Sequence, residues 1–169
     1  MRNKLIYTMA LAILVIGFQG CKPEPKVLGP KVSQIDGIAG NWVLNKVDQI
    51  DVNVQLAFVE SDTLLDVSDV VLDASVGTPM EINFDKGKST FSVTSGTGSD
   101  MINFSAGTWS FDNNEYPSYV IFDKGLSTEK NFKLIHPVRP QDQYLILNVN
   151  KLCGNKRTVS YHLWFTRKN

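Results

Sequence analysis

The stretch TVSYHLWFTR, residues 158–167, decides the class of fold. Val159, Tyr161, Leu163 and Phe165 alternate with Ser160, His162 and Trp164. A period of two puts alternate side chains on opposite faces of a strand, one apolar and one mixed. Trp164 falls on the mixed face beside His162, and an indole there marks a contact surface or packs beneath a neighbouring segment.

The same period recurs upstream. Trp42 and Leu44 alternate with Val43 and Asn45; Ile82 and Phe84 with Glu81 and Asn83; Phe91 and Val93 with threonines and serine. Trp109 and Phe111 flank Ser110, Val120 and Phe122 form a pair, and Leu145, Leu147 and Val149 enclose Ile146 and Asn148. Turn residues separate the runs, as in Asp85-Lys86-Gly87-Lys88, Asp112-Asn113-Asn114-Glu115 and Asp123-Lys124-Gly125. Asp and Asn bond their own backbone in turns and Gly accepts positive φ. The expectation is an all-β domain, an antiparallel up-and-down β-barrel of 8–10 strands. One segment departs from the period. Residues 62–73 place Leu64, Val67 and Val71 near helical spacing after Ser61 or Asp62 as a cap, which predicts one or two helical turns across a barrel mouth.

The amino terminus carries a different message. Arg2 and Lys4 precede an apolar run over residues 5–18, followed by Gly20, Cys21 and the proline-studded KPEPK of residues 22–26. The order is that of a secretory signal, and the run is too short for a permanent span. The division expected is a signal segment 1–20, Cys21 with a flexible tether to residue 36, and a barrel domain 37–169. Removing Arg2 and Lys4 leaves 15 basic and 17 acidic residues, a net charge of −2. That balance gives no basic field for nucleic acid. Cys21 and Cys153 are the two cysteines, so no disulfide framework exists if Cys21 is modified.

Gly20-Cys21 resembles the bacterial lipobox, in which the cysteine sulfur is diacylglycerylated. Phe18 and Gln19 stand where Leu and Ala or Ser are usual, a loose form familiar among Bacteroidetes-type lipoproteins. The alternative is an ordinary secreted chain. Gly40-Asn41-Trp42 resembles the Gly-x-Trp signature of lipocalin-like barrels, in which the Trp closes one barrel end beneath a basic side chain from the last strand. Arg167 is the matching position. Together with LLDVSDVV (64–71) and SAGTWSFDNNEYPSYVIF (105–122), the chain is similar over residues 38–168 to a lipocalin-like domain of unknown function found in Bacteroidetes lipoproteins. The resemblance implies no established reaction. It implies an outer-membrane lipoprotein, of either leaflet, that binds a small apolar or saccharide ligand or an envelope partner. The alternative is a structural subunit of an envelope or polysaccharide-uptake complex, its barrel fully packed.

Catalytic and metal chemistry find little support. No sequence motif offers His136 or His162 an orienting partner with a nucleophile, and no nucleophile elbow occurs. Asp62, Asp66, Asp69 and Asp73 lack the order and the glycine of a calcium loop. No zinc spacing is present and no cofactor is expected. The candidate contacts for a ligand or partner are aromatic: Trp109, Tyr116, Tyr119, Tyr161 and Trp164.

Overall fold

The computed structural model describes residues 33–51, 64–153 and 156–168, without the side chains of residues 51, 153 and 156–158. The signal segment, Cys21, most of the expected tether, Asp62 and the Cys153 thiol lie outside these.

The described chain opens with a short helix, α1 (Gln34–Ile38), whose first turn is capped by Ser33 Oγ accepting from Asp36 N at 3.2 Å. The strands are β1 (Gly40–Asp51), β2 (Leu64–Asp66), β3 (Glu81–Asp85), β4 (Thr90–Thr94), β5 (Ala106–Phe111), β6 (Tyr119–Phe122), β7 (Lys130–Leu134), β8 (Tyr144–Cys153) and β9 (Lys156–Arg167). A single helical turn, α2 (Ser68–Val71), follows β2. From β3 to β9 each strand pairs antiparallel with the next, and β1 pairs with both β3 and β9. Eight strands thus close an up-and-down barrel, and the ninth, β2, lies beside it. Closure satisfies the backbone donors that an open edge would leave exposed.

Residues 64–73 take their form from the length of β1. β3 pairs only with Gly40 to Val43 of that twelve-residue strand. The edge beyond is taken by β2, with Asp48 opposite Asp66 and Ile50 opposite Leu64. Val67 N donates to Val47 O at 2.9 Å, and Ser68 Oγ accepts from Val47 N at 2.9 Å. Unpaired β1 groups therefore draw residues 64–66 into a strand, and only Ser68–Val71 is left helical. β7 carries Phe132 and Leu134 inward between exposed Asn131 and Lys133.

The interior is aromatic. Phe122 is fully buried, and its ring lies 4.1 Å from Phe91 (stacked), 4.8 Å from Phe132, 5.6 Å from Phe104 and 6.0 Å from Phe84, centre to centre. Trp109 meets Phe84 edge-on at 5.6 Å. Offset and edge-to-face contacts at these separations each add about 0.5–1.5 kcal/mol beyond area burial. Where β1 begins, α1 contributes buried Ile38 and the β7–β8 loop buried Val138; at the other end Met80 and Ile102 are buried.

A bulge in β1 sets what faces out. Leu44 pairs with Phe165 but Lys46 with Trp164, so Asn45 is the extra residue. Before it Trp42 and Leu44 point in; after it Val47 points in, and Lys46 and Asp48 share the outer face with Trp164 and His162.

Candidate functional site

At the end where β1 starts, Gly40 has φ +116°, a conformation that favours glycine, and a Cβ there would lie 3.2 Å from Arg167 Nη1. The open space admits the guanidinium, whose carbon sits 4.3 Å from the centre of the Trp42 indole. Arg167 Nη1 donates to Ala39 O at 2.8 Å, Nη2 to Gly37 O and Nε to Asp142 O at 3.3 Å. Trp42 Nε1 donates to Ile38 O at 2.7 Å. Gly40, Trp42 and Arg167 thus form one closure that ties α1, β1, β9 and the β7–β8 loop.

The five aromatic candidates do not converge. Trp109 is in the core, its Nε1 donating to Asp85 O at 3.3 Å. Tyr161 is half-buried and packs against the core. Tyr116 is exposed in the β5–β6 turn and Tyr119 at the start of β6. The turn is held by Asp112 Oδ1, which accepts from Ser118 N and Tyr119 N, both at 2.9 Å. Trp164 lines a cavity.

That cavity is an open groove of about 700 Å³ on the outer face. Its floor is Trp164 and Tyr144. Tyr144 pairs with Thr166 and Ile146 with Trp164, so the two rings are diagonal neighbours on one face, within reach of each other's surroundings. Its wall is the β7–β8 loop: His136, Pro137, Arg139, Gln141, Asp142 and Gln143.

Trp164, Arg139 and Asp142 are held in place by specific contacts. Trp164 Nε1 donates to Asp48 Oδ2 at 2.7 Å, and Asp48, although on the outer face, is 2 % exposed. Lys46 Nζ lies 2.8 Å from Asp48 Oδ1 and 5.3 Å from the indole centre. Hydrogen bonding to Asp48 holds the Lys46 ammonium above its ordinary pKa of 10.5, against the opposing effect of desolvation, with the Asp48 and Asp66 charges adding. Arg139 is clamped to Asp142 through its backbone N–H (2.8 Å) and its guanidinium (3.3 Å). Burial pushes the Asp142 carboxyl up, but the hydrogen bonds and charge of Arg139, aided by His136, outweigh it and hold the group below 3.8. Asp48, Arg139, Asp142 and Tyr144 carry no spacing motif; the outward Trp164 is the one signal in the sequence that leads to them.

A smaller groove of about 460 Å³ lies at the opposite end, between Met101, Ile102, Lys130, Phe132, Val149 and Leu152. Lys130 Nζ donates there to Ile102 O at 3.2 Å and sits over Phe104.

The acids near α2 serve the backbone. Asp66 Oδ1 accepts from Ser68 N at 2.9 Å, and Asp73 Oδ1 from Ser75 N and Oγ. Among the described residues no group of three or more His, Cys, Asp or Glu side chains is placed to hold a metal ion.

Fold and site together define a closed antiparallel barrel with an aromatic core and an outer groove. Comparison of the chain with protein-family models, with curated proteins and with solved structures finds no match.

Proposed function

We propose that this chain is a non-catalytic envelope lipoprotein, anchored through a lipid on Cys21, whose barrel is a packed scaffold that binds from its outside. The observation that carries the reading is the ring set around Phe122. Four aromatic neighbours within 6.0 Å occupy the space a lipocalin-like barrel would use for an internal ligand. Recognition then falls to the outer groove, where Trp164 and Tyr144 offer apolar faces beside polar side chains. The Gly20-Cys21 lipobox resemblance supports the anchor and an outer-membrane location.

Two measurements test this. A fluorescent polyene fatty acid titrated into the full chain should show no saturable emission change; stoichiometric uptake, abolished by a bulkier side chain in the interior, would overturn the packed scaffold. Cell fractionation of Cys21→Ala should move the protein from the membrane to the soluble fraction. Continued sedimentation of that variant with membranes would remove the lipid anchor.

A further inference from the structure

We infer that the Trp164–Tyr144 groove binds a neutral oligosaccharide, an inference that rests on the outside-binding reading above and names its ligand class. A pyranose ring has an apolar face of C–H groups and an equatorial rim of hydroxyls. A complementary surface needs a flat apolar platform with planar donors and acceptors around it. The groove has both.

The indole of the platform is fixed before any ligand arrives. Trp164 Nε1 is bonded to Asp48 at 2.7 Å and Lys46 lies over the ring, so the indole has little freedom to turn. Tyr144, 52 % exposed, stands diagonally beside it on the same outer face. An indole held in this way loses little conformational entropy on binding.

The rim is rich in hydroxyl partners. Gln141 and Gln143 each offer an acceptor and two donors, Arg139 offers the N–H groups of Nη1 beyond those turned to Asp142, and His136 and Asp142 add further sites. The charges are already matched, Arg139 with Asp142 and Lys46 with Asp48. An anionic sugar would have to break those pairs, so a neutral one fits better. A proline-rich peptide also docks on aromatic grooves, but it presents few hydroxyl-like groups. Five polar side chains along one wall suit a polyhydroxylated ligand better. The groove volume of about 700 Å³ suits several sugar units rather than one.

The test uses the full chain in a detergent without a sugar head group. Maltohexaose, cellohexaose, xylohexaose and mannohexaose are titrated by calorimetry, with tryptophan emission followed in parallel. At least one should bind saturably, with an emission change that Trp164→Phe removes. Tyr144→Ala and Arg139→Ala should each weaken binding tenfold or more, whereas Tyr116→Ala, outside the groove, should leave it unchanged. Circular dichroism confirms that each variant is folded. Three results would overturn the inference: no saturable binding to any of the four; equal binding by Tyr144→Ala; or binding of deca-proline in the groove with none of sugar. In the first case, membrane sedimentation of the same preparation and exclusion of the fatty-acid probe would leave the scaffold reading standing. The peptide result would likewise keep the scaffold and change its ligand.

Discussion

The guanidinium carbon of Arg167 lies over the indole of Trp42, 4.3 Å from its centre, while its N–H groups reach the carbonyls of Gly37, Ala39 and Asp142. One side chain from the last strand therefore closes the first strand, the leading helix and the β7–β8 loop. Charged hydrogen bonds contribute about 1.5–3 kcal/mol each at most, and the cation–π contact about 0.5–2 kcal/mol. Arg167→Ala should lower unfolding free energy by roughly 2–4 kcal/mol, since water can replace some of these bonds. Arg167→Lys should recover less than half, because an ammonium cannot lie flat and fork. Urea denaturation of the three proteins checks the order.

The core rests on Phe122. Its replacement by Ala removes a ring with four aromatic neighbours, and Phe→Ala changes in cores cost about 3–5 kcal/mol. Phe122→Leu should cost less, because the cavity is smaller. The Ala variant should also gain a buried apolar cavity at the vacated ring. Uptake of benzene or xenon by Phe122→Ala and not by the native chain is the expected result.

Gly37 sets two effects against each other. Alanine is the better helix residue by about 1 kcal/mol. A Cβ at Gly37, however, would lie 2.0 Å from Val138 O and 2.6 Å from Val138 C. Both atoms are backbone, and Val138 is fully buried, so neither can swing aside. Overpacking of this kind costs about 1–3 kcal/mol. Gly37→Ala should therefore destabilise on balance, and a melting temperature at or above that of the native chain would refute the close approach.

Acid should weaken the fold through several carboxylates at once. Asp36 is held below 3.8 first by its hydrogen bond with Lys86 and then by Ser33; Asp66 and Asp73 by the hydroxyls and N–H groups of Ser68 and Ser75. For Asp112, burial raises the pKa, but the N–H groups of Tyr119 and Ser118 more than reverse it. Asp142 behaves likewise through Arg139. A carboxyl depressed in the folded state contributes stability that is complete above its unfolded pKa and is lost as pH falls through its folded one. The melting temperature should thus be steady above about pH 5 and fall below about pH 4. Asp142→Asn should shrink that acid slope while lowering stability at pH 7.

Period-two alternation was enough to place most of the barrel strands, because each has one buried face. It passed over β7, where lysines and an asparagine surround Phe132 and Leu134; the helical turn expected within residues 62–73 forms at Ser68–Val71, with the unforeseen short strand β2 before it. β2 has a tertiary cause: no local pattern in residues 64–66 says that β1 outruns β3 and leaves an edge to be covered. The bulge at Asn45 was equally invisible, yet it turns Asp48 and Lys46 to the face of Trp164. Trp42 and Arg167 stand at opposite ends of the domain sequence, and the Gly-x-Trp resemblance supplied what spacing alone lacked. The groove was legible only as an outward tryptophan; its polar wall comes from a loop whose path depends on α1.

Asp48 offers the sharpest separation of stability from placement. Its carboxylate accepts from Trp164 and Lys46 and is almost fully buried. Removing one partner of a buried ion pair costs about 3–5 kcal/mol when the other charge is trapped. Lys46, with its side chain 42 % exposed, can turn to water, so Asp48→Ala should cost less, about 1–3 kcal/mol. Asp48→Asn keeps an acceptor for the indole N–H and should keep the ring in place at part of that cost. The ring itself reports the difference, because Trp42 and Trp109 are buried and Trp164 is only half so. In Asp48→Ala the emission should shift to the red and acrylamide quenching should rise; in Asp48→Asn both should stay near native. Equal quenching in all three proteins would mean that the indole is held by packing alone, and that the buried carboxylate serves Lys46 rather than Trp164.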